Sequence, residues 1–356
     1  MSFDTTVDSA TTTTTTEPTT PTPTSPHISW SDSFSEAQTA IKTLSTILPS
    51  IPPSLTSSDN PSSALLHDAE TSAEISRLLR HPDSGAGGDH LCRWLYDTFQ
   101  SAKPDLQLVV LRFLPLIAGL YLSRVPLRKP LAGFEAVLLA IYAHETVSRN
   151  GQAVTVTIPD LSHSSIYHET KLNTKNNATE LNLTVISASL EPHGTVRSTR
   201  RARIVGVALE LYYSKISQMP SESKIDFCEF CTLWAGQDGD AYKNGPDDEV
   251  VETGEAKENC EGENVGAKEG RIPLPWELLQ PVLRILGHCL MGYKKNNELY
   301  EAACGACRSL YARSLHDINP KAILATRSLL RLVKMEANSE DKVDHTEIVM
   351  SNVINL

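Results

Sequence analysis

A dense group of polar side chains occupies residues 155–169, "TVTIPDLSHSSIYHE". Within it, His163, His168 and Glu169 supply two imidazoles and a carboxylate, which are the donor types that bind zinc. The helical zinc motif HExxH, however, places its two histidines four residues apart on one helix face. Here they are five residues apart and follow Pro159, so the spacing defines no ligand geometry. The serines of the stretch lack the G-x-S-x-G turn of a nucleophile elbow. The pattern therefore predicts a structural loop rather than an active site or a metal site.

Two C-x-x-C pairs are the second candidate for chemistry, since four thiolates can hold a tetrahedral zinc ion. Seventy-two residues separate Cys228/Cys231 from Cys304/Cys307, and each pair lies inside a helical pattern. At positions i and i+3 both sulfurs share one helix face, where small apolar side chains pack well. We therefore predict core cysteines, no metal and no cofactor, with a zinc or thiol enzyme as the alternative that metal analysis would test.

The stretch "RSTRRAR" carries four arginines in seven residues. Such a cluster could hold a phosphate or a lipid headgroup. It stands at a predicted helix start, where the helix dipole opposes positive charge, so a solvated turn or a contact with an acidic partner is favoured. A stand-alone peripheral lipid-binding adaptor is kept as the alternative function. The residues of this possible anionic contact are Arg197, Arg200, Arg201 and Arg203.

The charge of the chain is concentrated in one segment. Residues 236–270 hold eleven acidic residues and three lysines, a balance of −8, whereas the whole chain of 356 residues carries −11 and the remainder therefore only −3. This distribution argues against nucleic-acid binding. Seven cysteines, an odd number, and the absence of an opening apolar run predict a reduced, cytosolic protein. The most apolar run, 106–122, contains Arg112 and Pro115 and is too short for a bilayer span of about 20 residues, which favours a buried helix.

Helical periodicity dominates the chain, so the predicted fold class is all-α: an antiparallel helical bundle or solenoid-like stack with one short β element near 153–158. The predicted regions are a disordered Thr/Pro-rich tail (1–30), a first helical region (31–235), an acidic disordered linker (236–270), the last helices of the same domain (271–337) and a flexible tail (338–356). Helices are predicted at 33–48 and 63–80, from Asp89 through Phe99, and from Pro104 to about Leu122, where Pro115 should kink or split the helix. Further helices are predicted at 133–151 and 201–219, from Ser221 through Trp234, and at 275–293, 297–315 and 319–336. Residues 170–195 are predicted to be irregular, with a helix near 183–190.

Four segments together resemble the hyccin family, and specifically its plant branch. They are "LRFLPLIAGLYL", "GFEAVLLAIYAHE", "VTIPDLSHSSIYHE" and "LELYYSKISQMPSESKIDFCEFC", and the resemblance covers about residues 62–335 in order. The third segment is the most specific. Its motif residues, which form a loop that could contact a partner, are Ile158, Pro159, Leu161, Ser162, Ser165, Tyr167, His168 and Glu169. The Thr-rich tail, the acidic insert and the short C-terminal tail depart from the family pattern.

The resemblance implies a non-catalytic scaffold subunit of a phosphatidylinositol 4-kinase alpha complex, which makes phosphatidylinositol 4-phosphate. The implied partners are a tetratricopeptide-repeat subunit of the "no pollen germination" type, the kinase itself and a palmitoylated membrane anchor protein of the EFR3 kind. The implied location is the cytosol and the cytoplasmic face of the plasma membrane, reached through these partners.

Overall fold

The computed structural model describes residues 30–159, 181–191, 200–237, 239, 242, 275–292 and 296–338. Within these residues it contains twelve α-helices, a two-stranded antiparallel sheet and a short 3-10 turn at Ile216–Gln218. The predicted all-α class is confirmed. In chain order the elements are α1 (Trp30–Ser45), α2 (Pro61–His67), α3 (Ala69–Arg80), α4 (His90–Gln100), α5 (Pro104–Arg112), α6 (Leu114–Arg124), α7 (Ala132–Ser148), β1 (Val154–Pro159), β2 (Leu181–Ser187), α8 (Arg201–Ser214), α9 (Ser221–Ala235), α10 (Trp276–Met291), α11 (Asn297–His316) and α12 (Pro320–Asn338).

Side-chain caps determine where several helices begin. The Asp89 carboxylate accepts hydrogen bonds from the backbone N–H groups of Leu91 and Cys92, as predicted for the start of α4. The predicted helix 63–80 is wrong as one element, because Asp68 divides it into α2 and α3. The Asp68 side chain accepts from the N–H of Thr71 at 2.8 Å, which favours a new helix start over continuation of the old one.

Pro115 divides the predicted helix 104–122 in two, as the sequence indicates. Proline lacks the N–H that would bond to the preceding turn, so α5 ends at Arg112 and Pro115 lies in the first turn of α6. The two helices meet at an angle of 46°. No single helix in the described part of the chain is long and apolar enough to cross a bilayer. Taken together, the bent pair α5 and α6 has the length and the apolar composition of a span.

The helices share one hydrophobic core that extends from Ile41 on α1 to Leu330 on α12. In the first half, α4 packs against α7, and α6 packs against α9. The helices that follow residue 275 join the same core, because α10 packs against α8 and α11 packs along α9. Its largest fully buried side chains are Tyr121, Tyr142, Tyr212, Phe99, Phe134 and Phe227.

The strand β2 corrects the prediction of irregular structure with a helix near 183–190. Residues Leu181–Ser187 form a strand antiparallel to β1, which itself was predicted. The segment "LNLTVIS" contains two leucines, which favour a helix. It also contains three β-branched residues, which favour a strand. Pairing with β1, more than twenty residues earlier, selects the strand over the helix. The local sequence pattern does not contain information about that contact.

α8 and α10 approach each other closely at Gly206. A Cβ atom added there would lie 2.6 Å from the carbonyl oxygen of Glu277 on the first turn of α10. Gly287, in the middle of α10, has room by comparison: its added Cβ would lie 3.7 Å from Met291 Cε and 3.8 Å from Leu329 Cδ2. The absence of a side chain at Gly206 therefore sets the distance between α8, which precedes residues 236–274 in the sequence, and α10, which follows them.

We expect Gly206→Ala to lower the free energy of unfolding by about 1–3 kcal/mol, because the new methyl group must push α10 away. The loss should occur despite a gain in helix propensity of about 1 kcal/mol. Gly287→Ala is the matched control and should be neutral or slightly stabilising. Urea unfolding followed by circular dichroism measures both, and equal effects of the two substitutions would contradict the close approach.

Candidate functional site

The two strands form a ribbon that carries apolar side chains on both faces. The register pairs Thr155 with Val185 and Thr157 with Leu183, so these four residues share one face. Val156 and Ile158 occupy the opposite face. A bulge lies at the base of the ribbon, between Val154 and Thr155.

The outer part of this ribbon is exposed to solvent. Leu183 is 70% exposed, Val185 54% and Ile158 39%, although side chains of these types are usually buried. In the described part of the chain each strand pairs only with the other, so each also has one edge without a strand partner. A two-stranded ribbon without a covered face has little stability of its own in water, so burial of these apolar side chains against a further surface would stabilise it.

A buried arginine holds the base of the ribbon. Arg149, just after α7, donates to the Ser187 hydroxyl at 3.1 Å and to the Glu210 carboxylate on α8 at 3.0 Å. Its Nη2 lies 2.5 Å from Glu145 Oε2, one helical turn earlier. On the far side of Glu210, Arg284 Nη2 of α10 lies 3.7 Å away. We call Glu145, Arg149, Glu210 and Arg284 the base network; it links α7, α8, α10 and β2.

The charges of the base network are balanced and largely removed from water. The side chains of Arg149, Glu145 and Glu210 are 14%, 8% and 10% exposed. Burial alone would raise the pKa of Glu145, but the neighbouring His144 and Arg149 outweigh it, so that the pKa is lower than usual. The ionised carboxylate therefore stabilises the fold.

Backbone contacts complete the base of the ribbon. Gly151 adopts a φ of +68°, a left-handed conformation suited to glycine, and its carbonyl accepts from the N–H of Leu190 at 2.9 Å. The N–H of Glu191 donates to the buried Tyr142 hydroxyl at 3.2 Å. The chain before β1 and the chain after β2 are thus joined to each other and to α7.

The arginine cluster lies at this same base. Arg203 donates to the carbonyl oxygens of Ala188 and Ser189 at 2.9 and 2.7 Å, and Arg200 forms an ion pair with Glu191. Arg201 Nη2 lies 3.7 Å from Glu135 on α7. Arg200 and Arg203 therefore contact the segment that follows β2, and Arg201 contacts α7, roles that the sequence did not indicate. An additional contact with an anion remains a prediction.

The predicted motif loop is described in part. Ile158 and Pro159 end β1, and the Ile158 side chain is exposed on the ribbon. Leu161, Ser162, Ser165, Tyr167, His168, Glu169 and Arg197 lie outside the described residues. The predicted β element and the arginine cluster, predicted as separate features, meet at the base of the ribbon. The base network lies at the same place, and the sequence analysis missed its members. Only the i, i+4 spacing of Glu145 and Arg149 could have indicated it.

The predicted core cysteines are confirmed. Cys228 and Cys231 are buried on α9, and Cys304 and Cys307 are buried on α11. Burial raises the pKa of Cys231 and Cys307, which disfavours the reactive thiolate. Cys289 on α10, not predicted as part of this group, is also buried. Among the described residues, no group of three or more histidine, cysteine or acidic side chains is arranged to hold a metal ion.

We expect Glu145→Gln to destabilise the protein at pH 7 by roughly 2 kcal/mol, because a buried charged hydrogen bond to Arg149 is lost. Since the folded-state pKa of Glu145 is lower than its ordinary value of 4.5, its contribution is present above that pH and disappears as the pH falls through the folded-state pKa. The difference between wild type and variant should therefore shrink below about pH 4.5.

Urea unfolding at a series of pH values measures this difference. Glu74→Gln is the matched control: Glu74 also pairs with an arginine, Arg77, but on the surface, and its removal should leave the free energy of unfolding at pH 7 almost unchanged. A difference between wild type and Glu145→Gln that stays constant down to pH 3 would contradict the assigned ionisation.

Comparison with protein-family models assigns the chain to a family. The model of the hyccin family matches residues 56–353, which is most of the sequence and includes the ribbon, the base network and the helices that follow residue 275. The predicted resemblance is thereby confirmed at the level of the family, whose role is that of a scaffold or regulatory protein. The chain belongs to the hyccin family.

Proposed function

We propose that this protein is a plant-type hyccin that acts as a non-catalytic scaffold subunit of a phosphatidylinositol 4-kinase alpha complex. In this role it stabilises the complex at the cytoplasmic face of the plasma membrane and so supports production of phosphatidylinositol 4-phosphate. Its direct partner is a tetratricopeptide-repeat subunit of the "no pollen germination" type. An EFR3-like anchor protein supplies the attachment to the membrane. Membership of the hyccin family supports the scaffold role.

The exposed ribbon is the observation that carries the proposal of a docking surface. Leu183 and Val185 on one face and Ile158 on the other have neither charge nor a covering element among the described residues. Apolar residues at such density favour association with a protein, since cores of protein interfaces are depleted of charge. A helical repeat protein offers a concave apolar surface of suitable size for a narrow ribbon.

The base network makes the ribbon suitable for this purpose. Because Arg149 and Arg203 bind the residues at and after the end of β2, the ribbon is held to α7 and α8 in one orientation. A surface that is ordered before binding loses less conformational entropy on association. The ribbon can therefore contribute binding free energy even though it is small.

Affinity purification from plasma-membrane extracts tests the proposed complex. The tagged chain should retain both a phosphatidylinositol 4-kinase and a tetratricopeptide-repeat protein, and retention of neither would overturn the proposal. Washing with high salt should leave the repeat protein bound, because an apolar interface is not screened by ions.

The double variant Leu183→Thr/Val185→Thr tests the ribbon. Threonine keeps strand propensity and removes the apolar surface, so we expect the affinity for the repeat protein to fall about tenfold or more, while the melting temperature stays unchanged. Leu127→Thr/Val147→Thr is the matched control. It removes the same two residue types from positions that are 64% and 68% exposed outside the ribbon, and it should bind as wild type does. Equal binding by both double variants would show that the partner contacts another surface.

A further inference from the structure

A polar cleft of about 330 Å³ lies between α3 and the start of α9. The last residue of α5 and the first turn of α11 complete its walls. This volume lies at the lower end of the range of small-molecule sites. We call it the α3–α9 cleft, and its charged and hydroxyl-bearing side chains include Ser72, Ser76, Arg112, Glu222, Asp226 and Glu298. None of its lining residues belongs to the ribbon or to the base network.

The buried side of the cleft contains a guanidinium without an ion pair. Arg112 is 4% exposed, and within the described part of the chain its side chain donates to one acceptor, the carbonyl oxygen of Leu66. Burial lowers the pKa of Arg112, and the negative charges of Glu222 and Asp226 act against this without pairing directly with it. A guanidinium presents several N–H donors in a planar fork, so Arg112 has donors left for a ligand in the cleft.

A hydroxyl group without a partner lines the cleft on α3. Ser72 is 4% exposed, and its Oγ has no hydrogen bond to any described residue. Ser76, one helical turn later, is also buried and lines the same side of the cleft. A buried hydroxyl that makes no hydrogen bond costs free energy, and so does a buried guanidinium whose donors are only partly used. A ligand with a negatively charged oxygen would accept hydrogen bonds from both groups.

The open side of the cleft has the opposite charge. Glu222, in the first turn of α9, and Glu298, in the first turn of α11, line the cleft and are exposed. Asp226 is already neutralised, because Arg80 Nη2 lies 2.7 Å from its carboxylate. A multiply charged anion such as phosphate would be repelled by the two exposed glutamates. A carboxylate has a single negative charge, and a cationic group joined to it would be attracted by the same glutamates.

We propose that the α3–α9 cleft binds a small zwitterionic molecule of the amino-acid type. Its carboxylate accepts hydrogen bonds from Arg112 and Ser72, and its cationic group lies between Glu222 and Glu298. Because Arg112 is buried, a short free ligand reaches it more readily than a side chain on the surface of a folded partner does. The site goes beyond the scaffold role and is independent of it, since it uses no residue of the ribbon and does not require the kinase complex.

Saturation-transfer NMR with the full-length chain tests the proposal, with 4-aminobutyrate as the probe. Butyrate lacks the amino group of this probe and butylamine lacks its carboxylate, although all three have the same carbon chain. We expect 4-aminobutyrate to bind about threefold or more tighter than butyrate, because it adds an ion pair at the open side of the cleft. Butylamine and phosphate should both bind more weakly than butyrate. Arg112→Lys keeps the charge but removes the planar fork, and should weaken the binding of butyrate and of 4-aminobutyrate alike.

Ser72→Ala separates ligand binding from stability. Since the Ser72 hydroxyl has no partner in the free protein, its removal should not lower the melting temperature. It should weaken the binding of 4-aminobutyrate by about tenfold, the effect of one hydrogen bond to a charged group. Thr71→Val is the matched control, because it removes a hydroxyl that is also buried and without a partner among the described residues, on the same helix but outside the lining of the cleft. This control should bind the probe as wild type does.

Glu222→Gln/Glu298→Gln tests the open side of the cleft and should remove the advantage of 4-aminobutyrate over butyrate. Asp105→Asn/Glu277→Gln is its control: it neutralises two exposed acidic residues that also lie in first turns of helices but do not line the cleft, and it should preserve that advantage.

Three results would each overturn the proposal. One is that no probe binds to the wild-type protein. Another is that phosphate binds more tightly than 4-aminobutyrate. The third is that Ser72→Ala and Thr71→Val bind the probe equally well.

Discussion

The position of Arg149 constrains much of this structure. Its guanidinium is only 14% exposed, so the loss of its protein partners would be costly, and these partners come from the last turn of α7, from α8 and from the end of β2. α10 belongs to the same set of ion pairs, because Glu210 lies between Arg149 and Arg284 of α10. One buried charge thus determines how three helices and the ribbon are placed relative to each other, and the close approach at Gly206 is part of the same arrangement.

The chemistry of the ribbon follows from where it lies. The ribbon projects from the base network and is apolar and nearly uncharged, which suits a protein partner. The base network beneath it is charged and largely removed from water. The two parts therefore differ in what they do: the network orients the ribbon, and the ribbon exposes the apolar side chains.

Several features could be predicted because they depend on neighbours in the sequence. Asp89 caps a helix through atoms two and three residues away, and Pro115 interrupts one through its own missing N–H. The cysteines could be assigned to the core because each pair lies on one face of its own helix. The single helix over 63–80 was wrong for an equally local reason: the capping strength of Asp68 was overlooked. The helix near 183–190 was wrong because β2 is selected by a distant strand.

The sequence by itself determined the helical class, the caps, the break at Pro115, the inert cysteines and the family, since composition, short-range spacing and characteristic segments carry that information. Only the tertiary structure decided that Arg149 binds Glu210, sixty-one residues away, and that Arg200 and Arg203 contact the segment after β2. Each depends on which helices share the core. That choice depends on burying apolar side chains from many helices at once and cannot be read from any one segment.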